Sequence, residues 1–124
     1  MRYACLVYID ETKLDTLSDT ERVHLRRESI ACEDDLRRSG HLVAAESFES
    51  VRAATTVRVR EGRPITVDGP ATQSDEQLSR LLVVEARDLN EAMRLAGKLP
   101  SVRLGSIEIR PLRSGRGNAG VDDG

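Results

Sequence analysis

Tryptophan is absent from the 124 residues, and the whole aromatic complement is Tyr3, Tyr8 and Phe48. A core must therefore be assembled from Val, Leu, Ile and Ala, and single-stranded nucleic acid finds no row of rings to stack on. Neither sign of charge predominates: 19 Lys and Arg against 21 Asp and Glu leave a net charge of -2. That balance carries no footprint for a polyanion, so DNA and RNA are not expected as partners. Cysteine is scarce as well. Cys5 and Cys32 show no CxxC spacing and no neighbouring His cluster, so both are expected as small core residues, with no metal and no cofactor. Long apolar runs are missing too. The stretch from Met1 to Ile9 holds about eight apolar residues, too short for a membrane span, and no small-residue cleavage site follows it. A soluble, cytoplasmic protein is the expectation.

What is present is a regular alternation of elements on a chain long enough for one core. Residues 3–9 are apolar on both parities, as in a central strand covered on both faces. After a polar connection over 10–17, Ser18-Asp19-Thr20-Glu21 forms a capping box that starts a helix. Leu25, Cys32 and Leu36 should turn to the sheet, with Val23 and Ile30 opposite, and Gly40 ends the helix. His41 to Phe48 reads as a second strand. Ala54 to Arg60 follows as a third, half-buried strand, in which Val57 and Val59 alternate with charged and hydroxyl residues. Glu61-Gly62-Arg63-Pro64 turns it into a hairpin whose second arm delivers the chain to Asp68.

Ser74 to Leu78 suggests one helical turn, and Leu81 to Glu85 a strand. Asp88 and Glu91 cap a second helix with a stripe of Leu89, Ala92, Met93 and Ala96, and Leu99-Pro100 stops it. Ser106 to Arg110 is the last strand. The order is that of a ferredoxin-like α+β fold: an antiparallel sheet, two main helices on one face and an inserted β-hairpin. Two helices cover one sheet face, and the other invites a second copy, so a homodimer is expected. Residues 1–112 form the domain, and Arg113 to Gly124, with no apolar period, should be a flexible tail.

Chemistry converges on Asp68-Gly69-Pro70. Mechanically, Asp accepts backbone hydrogen bonds in a turn, Gly allows positive φ and Pro fixes the exit. Functionally, the Asp68 carboxylate suits a general base or anchor, with the Gly69 N–H open to an oxyanion. Glu76 could pair with Asp68 and raise one pKa, or lie solvated. Arg58 and Arg60 share a strand face and could hold a small organic anion, or pair with Glu61 or Glu108. His24 and His41 lack sequence-adjacent partners and are expected in solvent.

Several blocks together resemble a known family. Thr55 to Gly62, Val67-Asp68-Gly69-Pro70, Asp75-Glu76-Gln77-Leu78, Asp88 to Ala92, Leu99-Pro100 and Ile107 to Pro111 follow, in order and spacing, the pattern of the YCII-related, DGPF-type proteins. The resemblance covers residues 1–112. It implies a dimeric α+β barrel, a cleft near the Asp-Gly-Pro loop and a gene neighbourhood with extracytoplasmic-function sigma factors, with no settled reaction. More distant YCII relatives use a His–Asp pair, which the DGPF-type pattern does not fix at His24. The chain departs from the pattern at Ala71, where Phe is usual, at Asp75, where Lys is usual, and at Ser79-Arg80-Leu81-Leu82, where Gly-Gly-Tyr-Tyr is usual. A cleft that stacks a flat ligand in relatives should here be wider or empty. Two functions stay open: a dimeric accessory or ligand-binding module, linked by its neighbourhood to sigma-factor regulation, and a cofactor-independent lyase or isomerase acting on a small organic anion.

Overall fold

The computed structural model describes residues 1–113; the tail expected over 114–124 lies outside the described residues. Strand β1 (Arg2–Ile9), apolar on both parities, takes the interior position that such a pattern requires. It pairs antiparallel with β5 (Gln77–Glu85) on one side and β6 (Gly105–Pro111) on the other. Strand β2 (Leu42–Ser47) completes the order β2-β5-β1-β6. Helix α2 (Asp19–Arg38) joins β1 to β2, and α3 (Leu89–Ala96) joins β5 to β6. The two strand–helix–strand units interleave, which is the split arrangement of a ferredoxin-like α+β fold.

Local chemistry sets the helix ends. The Ser18 hydroxyl accepts from the Glu21 N–H at 3.1 Å while the Glu21 carboxylate accepts from the Ser18 N–H at 2.8 Å, closing the capping box. At the other end Gly40 adopts φ 82°. Its N–H donates to Arg37 O and that of His41 to Leu36 O, the paired bonds of a Schellman motif.

One face of the sheet carries the core. Tyr3, Cys5, Val7 and Ile9 of β1 join Leu82 and Val84 of β5 and Leu42 of β2 against Leu36 of α2 and Ala92, Leu95 and Ala96 of α3. Each large aliphatic side chain buried this way contributes about 1.5–3 kcal/mol. Cys5 is a core residue, as its type suggested, and Cys32 packs against the core margin. Among the described residues no helix packs over the other face. Leu6, Tyr8, Leu78, Leu81 and Val83 are only partly covered there, and Glu46, Ser106, Glu108 and Arg110 fringe them.

Strand β3 (Thr55–Arg60) and β4 (Arg63–Asp68) pair with each other as a separate two-stranded sheet. Glu61 at φ 52° and Gly62 at φ 76° make the two-residue turn between them, both positive as a type I′ hairpin turn demands.

Four expectations are corrected. The third strand is not half-buried: Val57 and Val59 are each 63% exposed, because the ribbon stands away from the main sheet. The α3 stripe runs through Ala92, Leu95, Ala96 and Leu99, leaving Leu89 and Met93 about half exposed; the helix is rotated about its axis relative to the stripe that composition favoured. Residues 74–76 form no helical turn, since β5 already begins at Gln77, whose side-chain amide closes the loop on Thr72 O and Ser74 O at 2.8 and 3.0 Å. Finally, the connection after β1 holds a short helix, α1 (Glu11–Asp15), capped by Asp10.

Candidate functional site

The Asp68-Gly69-Pro70 loop leaves β4 beside the start of β3, and β3 binds it back. Gly69, at φ 107°, donates its N–H to Ala54 O at 2.7 Å. Thr56 Oγ1 donates to Gly69 O at 2.8 Å, and Arg58 Nη2 to Ala71 O at 3.0 Å. The Gly69 N–H is therefore not open to an oxyanion, which corrects the functional reading of that residue: its hydrogen already has a short, good acceptor. Asp68 itself is exposed, and its carboxylate has no hydrogen-bond or ion-pair partner among the described residues.

The other expected site residues disperse. Glu76 does not pair with Asp68; its carboxylate accepts from the Ser106 hydroxyl of β6 at 2.6 Å. Arg58 is committed in part to the loop, and Arg60 Nη1 donates to its own strand at Val59 O, 3.0 Å away. Neither arginine pairs with Glu61 or Glu108, since Glu108 is taken by Tyr8 at 3.2 Å and Arg110 at 3.9 Å. His24 is exposed as expected, yet it does have a sequence neighbour, Glu28 at 3.7 Å one helical turn on. His41 is half-buried rather than free in solvent, because the Schellman turn tucks it against β5, where Nδ1 lies 2.9 Å from Glu85 O.

A cleft of about 380 Å³ opens beside the loop. Pro70 forms one side, Phe48, Val51 and Ala54 another, and Leu78 of β5 reaches it from the sheet. Of its polar lining among the described residues, Gln77 and Ser50 are committed and the exposed Glu49 carboxylate at the edge is not. Gln77 closes the 72–76 loop, and the Ser50 hydroxyl donates to Glu11 at 2.9 Å while accepting from the Arg52 N–H at 3.2 Å. What remains is a mainly apolar trough with one carboxylate at its edge, within the size range of small-molecule sites.

The residue that holds this wall in place is Glu11 of α1. Its carboxylate accepts from the Val51 N–H and the Ser50 hydroxyl, both at 2.9 Å, and the Val51 bond chiefly holds its pKa below the ordinary carboxylate value. The sequence carried a signal for it, Asp10 at an N-cap with an acid in the first turn, which a five-residue helix makes easy to overlook. Neither thiol offers a nucleophile at neutral pH. Burial pushes Cys5 up to about 11 and raises Cys32. Among the described residues no group of three or more His, Cys, Asp or Glu is placed to hold a metal ion. None of their helices is long and apolar enough to cross a membrane.

Known proteins resemble the chain in fold and in sequence. A solved structure, a 5-chloro-2-hydroxyhydroquinone dehydrochlorinase from Burkholderia phenoliruptrix AC1100 in complex with 2,5-dihydroxybenzoquinone, superposes with a TM-score of 0.55 at 12% identity, covering 94% of this chain and 97% of that one. At that identity the likeness speaks for the fold. An uncharacterised protein of Rhizobium meliloti (strain 1021) is 32% identical over 114 residues, 90% of this chain and 92% of that protein. The YCII-related domain model matches residues 1–115, and with it the chain belongs to the YCII-related domain family.

Proposed function

We propose that the protein is a homodimeric, cytoplasmic binding module that takes a small, flat, largely uncharged molecule into the trough beside the Asp-Gly-Pro loop, without turning it over. One observation carries this reading: the loop's polar groups are spent on the fold, at Gly69 N–H, Gly69 O and Ala71 O. An apolar surface is thereby left as the binding feature. The ring ligand named with the structurally similar dehydrochlorinase suggests the shape of molecule to try. The family's sigma-factor neighbourhood makes an accessory role the natural setting.

The acid–base alternative asks Asp68 to act as base with Arg58 or Arg60 holding a small organic anion. Less favours it, since none of the three lines the trough. Dimerisation is supported by the uncovered sheet face around Leu6, Leu81 and Val83. Leu78 belongs both to that face and to the trough, so a second copy seated there would meet the trough's edge.

Two measurements test the proposal. Sedimentation equilibrium should return a dimer at micromolar concentration, and a monomer would contradict the seated second copy. A thermal-shift series with small neutral rings, resorcinol first, should stabilise the wild type. Ala54→Leu, which fills the trough, should abolish the response while keeping the fold. A response unchanged by Ala54→Leu would place the ligand elsewhere.

A further inference from the structure

A second cleft, of about 550 Å³, lies between α2 and the end of α3 and shares no lining residue with the trough beside the loop. Its floor is apolar, built from Leu36 and Leu95 with Ala31 and Pro100 at the sides. His41 stands on its wall. Because the Glu85 carbonyl beside Nδ1 can only accept, Nδ1 carries the hydrogen in the neutral ring and Nε2 is the bare acceptor. The residue is held on both sides: its N–H donates to Leu36 O, and its carbonyl accepts from the Glu85 N–H at 2.7 Å. The ring's orientation is fixed before anything binds.

The charges on this wall are unevenly partnered. Its acids are answered from elsewhere, Glu28 by Arg103 at 2.8 Å and Asp35 by Arg38. Its two cations differ. The Lys98 ammonium has no hydrogen-bond or ion-pair partner among the described residues. Arg94 shares the single carboxylate of Glu91 with Arg87, each at 3.4 Å. The cleft therefore presents the unpaired Lys98 ammonium and the Arg94 guanidinium on its α3 side, an apolar floor, and an oriented acceptor at His41.

We propose that this cleft is a binding site for a small hydroxylated carboxylate. The anion is held by Lys98 and Arg94, the carbon body lies on Leu36, Leu95 and Pro100, and the hydroxyl donates to His41 Nε2. This site is independent of the trough beside the loop and of the ligand proposed there.

The test follows 4-hydroxybenzoate binding by NMR, through the His41 ring and the Ala31 methyl, with benzoate as the probe that lacks the hydroxyl. In the wild type both signals should move and saturate, and benzoate should bind roughly five- to tenfold more weakly. Lys98→Gln, at an exposed position, should weaken both probes by a similar factor. His41→Phe should abolish the difference between the probes. Absence of saturable shifts in the cleft, equal affinity in Lys98→Gln, or shifts confined to Phe48 and Leu78 would overturn the proposal.

Discussion

Replacing Gly69 with alanine isolates the backbone's part in the Asp-Gly-Pro loop. The residue sits at φ 107°, a value L side chains rarely adopt. A Cβ there would meet nothing within 4 Å, so steric collision contributes nothing and the cost is conformational, on the order of 1–3 kcal/mol. The loop can escape that strain only by turning φ negative, which breaks the Gly69 N–H to Ala54 O and Thr56 Oγ1 to Gly69 O bonds at about 1 kcal/mol each. Either route leads to about 2 kcal/mol. A domain of this size loses about 4 °C of midpoint per kcal/mol, so thermal melts followed by far-UV circular dichroism should fall by about 8 °C. Gly97→Ala is the control, because Gly97 ends α3 at φ -64° and needs no special freedom; it should melt with the wild type or slightly above. If Gly69→Ala melts with its control, the loop is not a constraint on the fold and the reasoning above fails.

Other substitutions probe other parts of the account. A Cβ on Gly105 would lie 1.9 Å from Tyr8 O, so Gly105→Ala must part β6 from β1 and should cost on the order of 3 kcal/mol or more in urea titrations. Glu61 occupies a left-handed position at φ 52° in the hairpin turn; Glu61→Gly, matching the turn's preference, should raise stability by about 0.5–1 kcal/mol in the same titrations. The pKa of Glu11 is lowered in the folded protein, so its contribution is complete above the unfolded value and disappears as pH falls through the folded one. Glu11→Gln should therefore flatten the stability profile between about pH 5 and pH 3, while leaving the shape of the profile near neutrality unchanged. An acid limb as steep as the wild type's would show that the Val51 wall does not depend on that charge.

The sequence marked the elements whose signals are local. The Ser18 box, the Gly40 stop, the Asp88 cap and the two-sided apolar strand all recur in the structure because each depends on residues within one turn or one pleat. What it concealed depends on partners far along the chain. Whether Val57 and Val59 are buried is decided by where the ribbon stands, which their alternation does not encode. The occupation of the Gly69 N–H required Ala54 to lie beside it, fifteen residues earlier in the chain. Glu76 was drawn to Ser106, a pairing that only the sheet order creates. A cleft near the Asp-Gly-Pro loop was expected from the resemblance, but its lining was hidden for the same reason, since Phe48, Val51, Pro70 and Leu78 come from separate segments.

The central claim is that the trough binds and Asp68 does not act. Its most direct measurement is resorcinol binding and turnover by purified Asp68→Ala set against the wild type. Asp68 is exposed and unpartnered among the described residues, so the variant should fold and bind as the wild type does, and neither protein should turn resorcinol over. A folded Asp68→Ala that loses binding, or loses an activity present in the wild type, would contradict the account.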